Sequence, residues 1–355
     1  MDYKFLIEKI AQQYEDGLPF VIFSLPNNNE VSALLQKNTA VHTIDNFNSN
    51  GFIFAPFDSR ESSIFIPEKE SEILQCELIT KSLTINPGEL SEEIGVQSQY
   101  MKLISKTVDT IKRGNAIKIV ISRKKDFKLQ KFSIKTLVEQ LFSIYPTAFR
   151  YLWYHPHTGF WCGATPETLV EINNHSFKTM ALAGTQPLSD RQPVLWGPKE
   201  LDEQQMVTDA ILDNLQKVTS VLKISKPFTH QAGSLLHLRT DISGALKNGK
   251  ATLTTIASAL HPTPAVCGTP KKIAKNYILE NEGYDRSYYT GFLGHVTEGG
   301  NTASLMVNLR CMKIENNCAS IFVGGGITAD SKAADEWVET QNKMQTMLQV
   351  LQPML

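Results

Sequence analysis

Val323-Gly324-Gly325-Gly326-Ile327, followed shortly by Asp335-Glu336-Trp337-Val338-Glu339-Thr340-Gln341-Asn342-Lys343, is the stretch on which the reading of this chain turns. The first part ends an apolar strand on three glycines, and the second has the pattern of a helix. At 3.6 residues per turn, Glu336, Glu339 and Lys343 fall on one side. Trp337, Met344, Leu348 and Leu351 form an apolar stripe on the other. Lys199-Glu200-Leu201-Asp202-Glu203 repeats the carboxylate spacing. Two helices that each aim such a pair at one cavity would make an oxygen-rich, negative pocket suited to Mg²⁺. By itself each pair also reads as a solvated helix face, and the glycine triplet as a bend or a packing device.

Working outward, the region from Gly114 onward is dense in pattern. Strands are expected at Ile117–Ser122, Phe149–Tyr154, Phe160–Gly163, Thr168–Asn173, Ser176–Leu182, Ser234–Ile242, Gly291–Val296, Thr302–Lys313 and Ala319–Val323. Helices are expected at Ser91–Arg113, Ile134–Tyr145, Lys199–Val221, Leu253–Leu260, Pro270–Asn281 and Ala333–Leu351. Long antiparallel-looking strands with helices bunched between them argue for an α+β fold. The first hundred residues read as less regular, with strands at Pro19–Phe23 and Gly51–Ala55 between loops rich in Asn, Ser and Pro. No repeat or linker interrupts the chain, so one domain over residues 1–355 is expected, with the motifs in 101–355.

Composition excludes several classes. At 42% hydrophobic and 20% charged residues, the 355-residue chain reads as soluble and globular. A net charge of −1 gives no electrostatic reason for binding nucleic acid or an anionic membrane. No apolar run approaches the length of a membrane span, and the first ten residues mix charges among the apolar ones, unlike a signal peptide. Five cysteines without a Cys-x-x-Cys pair suit reduced thiols in the cytoplasm. The eight histidines show no zinc spacing, and His237 and His261 read as hydrogen-bonded structural residues. Walker A, nucleophile-elbow and Rossmann patterns are missing from the sequence.

Further motifs carry chemistry. Lys118 opens an apolar strand, where a desolvated ammonium would become a general base; a solvated strand-edge lysine is the alternative. Glu167, in Gly163-Ala164-Thr165-Pro166-Glu167-Thr168-Leu169, stands at the turn into a strand. An apolar site would raise its pKa and make it a general acid, whereas an exposed turn would leave it ordinary. Ala183-Gly184-Thr185 ends a strand where a ligand or a tight turn would fit. Leu260-His261-Pro262-Thr263-Pro264-Ala265-Val266-Cys267-Gly268 is a stiff loop ahead of a helix.

Taken in order from Lys118 to Lys343, these blocks resemble the chorismate-utilising enzymes. That family comprises isochorismate synthases, salicylate synthases and the synthase subunits of anthranilate and aminodeoxychorismate synthases. The resemblance implies a layered αββα sandwich with large, mainly antiparallel sheets and an active site in a cleft. It implies that Glu200, Glu203, Glu336 and Glu339 surround Mg²⁺, directly or through water, which in turn holds the ring carboxylate of chorismate. Arg310 and Tyr289 match positions that grip the enolpyruvyl carboxylate, a task suited to the planar guanidinium fork. Gly324 and Gly326 match glycines whose amides approach a carboxylate, and Lys343 a lysine near metal and substrate. Gly184 and Thr185 complete the expected substrate-binding set.

Within the family, Lys118 matches the lysine found where water is the nucleophile, so no amidotransferase subunit is expected. Ala265 matches a position typically alanine in isochorismate synthases and threonine in salicylate synthases. The pair points to an Mg²⁺-dependent, reversible isochorismate synthase, acting as a monomer with chorismate as its small-molecule partner and feeding menaquinone or siderophore biosynthesis. A salicylate synthase and a chorismate-binding protein that has lost catalysis are the alternatives. Tyr284-Asp285-Arg286-Ser287-Tyr288-Tyr289 looks closer to the menaquinone-pathway members. Gln204 departs from the pattern, since many relatives carry histidine there.

Overall fold

Two large antiparallel sheets stacked face to face and flanked by helices make up the computed structural model, which describes residues 2–355 apart from 82, 84–87, 89, 189–193, 233–234 and 248–250. Helix α1 (Tyr3–Glu15) precedes β1 (Phe20–Ser24), β2 (Glu30–Gln36), β3 (His42–Ile44), β4 (Gly51–Ala55), β5 (Ser63–Pro67) and β6 (Ser71–Glu77). Then come α2 (Val96–Lys112), β7 (Lys118–Lys128), α3 (Ile134–Ile144), β8 (Phe149–His155), β9 (Gly159–Thr165), β10 (Thr168–Asn173) and β11 (Ser176–Pro187). These are followed by α4 (Pro198–Leu215), β12 (Thr219–Ile224), β13 (Phe228–Ala232), β14 (Leu235–Leu246), α5 (Leu253–Leu260), β15 (Gly268–Thr269) and α6 (Lys271–Asn281). The chain closes with β16 (Phe292–Thr297), β17 (Thr302–Val307), β18 (Cys311–Glu315), β19 (Cys318–Ile327) and α7 (Ala333–Leu351).

One sheet has the order β15-β7-β19-β18-β9-β8-β1-β2-β6, and the other β12-β14-β11-β10-β17-β16-β4-β5-β3, with β13 added beside β14. Aromatic rings fill the space between them: Phe54 of β4 lies 5.0 Å from Trp153 of β8 and 6.0 Å from Trp161 of β9, centroid to centroid. Burying a large apolar side chain contributes roughly 1.5–3 kcal/mol, and no backbone ladder joins the two sheets among the described residues, so this ring layer helps hold them together. Helices α1 and α3 and the end of α7 cover the outer face of the first sheet. Helices α4 and α5 cover the second, while α2, α6 and Trp337 of α7 enclose the β7–β19 end. The layer order is therefore αββα, as expected.

The first hundred residues are more regular than their sequence suggests. They give β1, β2 and β6 to one sheet and β3, β4 and β5 to the other. Of the four strands that the pattern did not reveal, β3 is only three residues long and β6 is largely exposed, while β2 and β5 are mostly buried but show no regular alternation, so periodicity carries little signal there.

Several expected boundaries differ: the strands expected to end at Ser122, Leu182 and Val323 run on to Lys128, Pro187 and Ile327, and three further differences have a local cause. The strand anticipated over Thr302–Lys313 is two strands in different sheets, β17 and β18. The chain crosses over at Asn308–Arg310, where Arg310 takes a left-handed φ of 46° and its carbonyl accepts the N–H of Ala164. The helix anticipated to Val221 stops at Leu215, because Thr219 to Ile224 pair with β14 instead. Helix α2 begins at Val96, after Gly95 at φ 91°. Ser234, the expected start of one strand, lies outside the described residues.

Candidate active site

A cleft opens where the ends of both sheets meet α4 and α7. Lys118 of β7, Glu167 before β10, Gly184 and Thr185 of β11, Glu203 of α4 and Ala265 of the loop before β15 line it. Tyr289, Arg310, Gly324, Gly326, Glu336, Glu339 and Lys343 complete the expected residues on its wall. Glu200 is not among them. It is the third residue of α4, and its carboxylate folds back to accept the Gly197 N–H at 3.0 Å, which satisfies the N-cap amide just ahead of Pro198.

The triple glycine explains how so many long side chains converge. In β19, Gly324, Gly325 and Gly326 pair with Ser122, Ile121 and Val120 of β7. A Cβ on Gly326 would lie 2.6 Å from Lys118 Cε and 2.8 Å from Glu203 Oε1. One on Gly325 would lie 3.0 Å from a Glu336 oxygen and 3.5 Å from a Glu339 oxygen. Side chains here would evict the lysine and the carboxylates alike, so the glycines serve close approach.

Lys118, 2% exposed, donates to Glu203 Oε1 at 2.7 Å. Lys343 donates to the Gly324 carbonyl at 2.9 Å and pairs with Glu339, its neighbour one turn back on α7. Glu167 is 3% exposed, and burial pushes its carboxyl up to about 7, although the Thr263 hydroxyl and the charges of Lys118, Arg310 and Lys343 pull it partway back. It is therefore a carboxyl that holds and releases a proton near neutrality. Tyr289 is buried, stacked on Phe322 at 5.4 Å and 18°, and burial keeps its phenol protonated. Arg310 is half-buried, and no hydrogen bond to its guanidinium forms among the described residues, so its donors are available to an anion.

His237 is a cleft residue that the sequence reading assigned to structure alone. Its Nδ1 is 2.9 Å from the Gly184 carbonyl and 3.3 Å from the Thr185 hydroxyl, while its buried Nε2 has no hydrogen-bond partner among the described residues. Burial and the charges of Arg310 and Lys343 bring its pKa down to about 3, so the ring is neutral. With Nδ1 donating to the carbonyl, Nε2 is left as an acceptor in the cleft wall. The Leu-His-Leu alternation of β14, which puts His237 on the face opposite its apolar neighbours, is the signal that would have found it. Gln204, beside Glu203, is buried against the sheet, donating to the Ala181 carbonyl at 3.1 Å and the Thr240 hydroxyl at 2.9 Å, which ties α4 to β11 and β14.

Behind the cleft, Glu282 and Arg286 form a buried ion pair. Arg286 also donates to the Val120 and Val266 carbonyls at 2.8 and 2.9 Å, joining the Lys118 strand to the Ala265 loop.

Glu203, Glu336 and Glu339 offer only oxygen donors beside two successive backbone residues, Gly325 and Gly326, the donor chemistry that a hard divalent cation takes. Among the described residues, no ready-made cluster of three His, Cys, Asp or Glu ligands is present, and Glu203 and Glu339 are engaged by lysines.

This fold and cleft define a class, and the sequence agrees: the model of the chorismate binding enzyme family matches residues 55–352, and the chain belongs to that family. The isochorismate synthase EntC of Escherichia coli strain K12 is 30% identical over 312 residues, covering 83% of this chain and 79% of that protein. The structure of a putative 2,3-dihydroxybenzoate-specific isochorismate synthase, DhbC from Bacillus anthracis, matches with a TM-score of 0.82 and 28% identity over 98% of this chain and 99% of that one. The menaquinone-specific isochorismate synthase MenF from Escherichia coli shares the fold, with a TM-score of 0.76 at 21% identity over 93% of this chain and 88% of that one.

Proposed function

We propose that the protein is an isochorismate synthase, converting chorismate reversibly to isochorismate. The observation that carries this reading is Glu167, a buried carboxyl lifted to about 7, in the same cleft as Lys118. Water addition at C2 with loss of the C4 hydroxyl needs one group to accept a proton and another to supply one. In its neutral amine form, Lys118 takes the proton of the attacking water as the water oxygen bonds to C2. The ring double bonds shift, the C4–O bond breaks, and Glu167 protonates the departing hydroxyl, which leaves as water. Exchange of the two roles runs the reaction backwards.

Arg310 and Tyr289 orient the substrate through its enolpyruvyl carboxylate, and Gly184, Thr185, Gly324, Gly326 and Lys343 shape the rest of its seat. Glu203, Glu336 and Glu339 are the residues that would hold Mg²⁺, which when bound supplies positive charge opposite the ring carboxylate. Glu200, engaged at the α4 N-terminus, stands outside this trio. Ala265 presents a methyl group to the cleft, leaving no hydroxyl there to redirect the ring towards elimination.

The reading takes the whole chain as one working unit, a monomer in the cytoplasm that needs no amidotransferase because water is the nucleophile. All five cysteines are free thiols, which suits a reducing compartment, and no helix among the described residues is long and apolar enough to cross a membrane. The product would feed menaquinone or siderophore biosynthesis. The test is chromatography of purified protein with chorismate and Mg²⁺, and separately with isochorismate. The same equilibrium mixture from both directions is expected, with little salicylate and no aminated product when ammonium is present. Accumulation of salicylate and pyruvate would make it a salicylate synthase, and binding without conversion a lapsed one.

A further inference from the structure

We infer that the Thr263 hydroxyl is a positioning group for Glu167: it donates to Oε1 at 3.2 Å and so leaves Oε2 as the oxygen that carries and delivers the proton. This rests on the reading of Glu167 as the acid. A carboxylic acid bears one proton on one of two oxygens, and a donor facing Oε1 disfavours that oxygen as the protonated one. In the reverse arrangement Glu167 would donate to Thr263, and the proton would point into the loop with nothing to hand to the substrate.

The loop is built to hold this hydroxyl still. Thr263 is 4% exposed and lies between Pro262 and Pro264. Its carbonyl accepts the N–H groups of Val266 and Cys267 at 3.1 and 3.0 Å. Lys271 Nζ donates to the Ala259 and His261 carbonyls at 3.0 Å each, and Arg286 fixes Val266 from behind. The same loop presents Ala265 to the cleft, so one rigid segment sets both the acid and a wall of the substrate site.

The charged groups around Glu167 come from other elements. Lys118 of β7, Arg310 of the β17–β18 turn and Lys343 of α7 favour its ionised form, as does the Thr263 donor. Glu203 of α4 and Glu336 and Glu339 of α7 line the same cleft and act in the opposite sense, while His237 is neutral. Removing the hydroxyl therefore favours the protonated acid and frees its orientation together. A role in packing alone would do neither.

The experiment measures kcat, and kcat/KM across neutral pH, for Thr263→Val, Thr263→Ser and Glu167→Gln. Thr263→Val is expected to lower kcat about tenfold with KM nearly unchanged, because the acid is held less well. The limb on which kcat/KM falls with rising pH should move up by about one unit, as expected for a lost hydrogen bond to a charged group. Thr263→Ser should restore both. If Thr263→Val fails to fold, Thr263→Ala removes the hydroxyl without adding bulk and carries the same expectation. Unchanged kcat and an unmoved limb in the folded hydroxyl-free variant overturn the inference, and so does a Thr263→Ser variant as impaired as Thr263→Val. An active Glu167→Gln overturns the acid assignment itself, whereas an inactive one beside an unaffected Thr263→Val removes this inference alone.

Discussion

Helices α4 and α7 carry the same Glu-x-x-Glu spacing, yet the structure uses the two pairs differently. In α7 both members border the cleft: Glu336, the fourth residue of its helix, is 2% exposed, and Glu339 follows one turn on. In α4 only Glu203 does so, because Glu200 is the third residue of its helix and is drawn to the unpaired amide of Gly197. One position relative to the helix start separates a carboxylate that caps from one that faces a ligand. The spacing of charges along a helix is therefore only half of the information, and the register of the helix start is the other half.

The largest effect that bears on this contrast belongs to Lys118, the partner of the inward carboxylate of α4. Lys118→Ala is expected to reduce turnover about 10²–10⁴-fold, the usual contribution of a general base; a loss below about threefold removes it from the mechanism. Next come the inward carboxylates. Glu203→Gln and Glu339→Gln should each raise the Mg²⁺ concentration needed for half-maximal activity by about 10–100-fold, judged from what loss of groups supporting a metal typically costs. Titration of activity with Mg²⁺ after chelation tests this, and a response in one variant but not the other would break the pairing of α4 with α7.

Glu167 gives an effect that needs no substrate. Its folded pKa, about 7, is above the ordinary 4.5, so the folded state holds a proton that the unfolded chain releases between those values. Its contribution is fully present below the lower value and is lost as pH rises through the upper one. Glu167→Gln should thus gain melting temperature relative to the parent as pH rises from acidic to mildly alkaline. A constant difference across that window would mean that the carboxyl is not neutral when buried.

The smallest effect sharpens the contrast most. Glu200→Ala should cost about 1 kcal/mol of stability through the lost cap, seen as a slightly lower melting temperature, with the Mg²⁺ response of the parent. A shift in that response as large as that of Glu203→Gln would place Glu200 with the metal after all.

Much of the chemistry was legible because it sits in short, stiff segments whose local sequence dictates their shape. The glycine triplet, the Pro-bracketed loop and the apolar strand after Lys118 each announce themselves. Arg310 was legible as a residue but not as a place. The run from Thr302 to Lys313 has uniform strand character, and only the left-handed backbone at Arg310, together with pairing partners in two different sheets, reveals the crossing that turns the guanidinium into the cleft. His237 was missed for a related reason, since its role depends on Gly184 and Thr185, distant in sequence and adjacent only across the β11–β14 ladder.

By itself the sequence determined the helical faces, the alternating strands, the α+β class and the set of charged residues, because periodicity, capping and turn chemistry act over a few residues. Tertiary structure alone decided which charges meet. Desolvation and pairing depend on what lies opposite in space: burial turns Glu167 from an ordinary carboxyl into an acid that works near neutrality, and the backbone of β19 leaves room for Lys118 to reach Glu203.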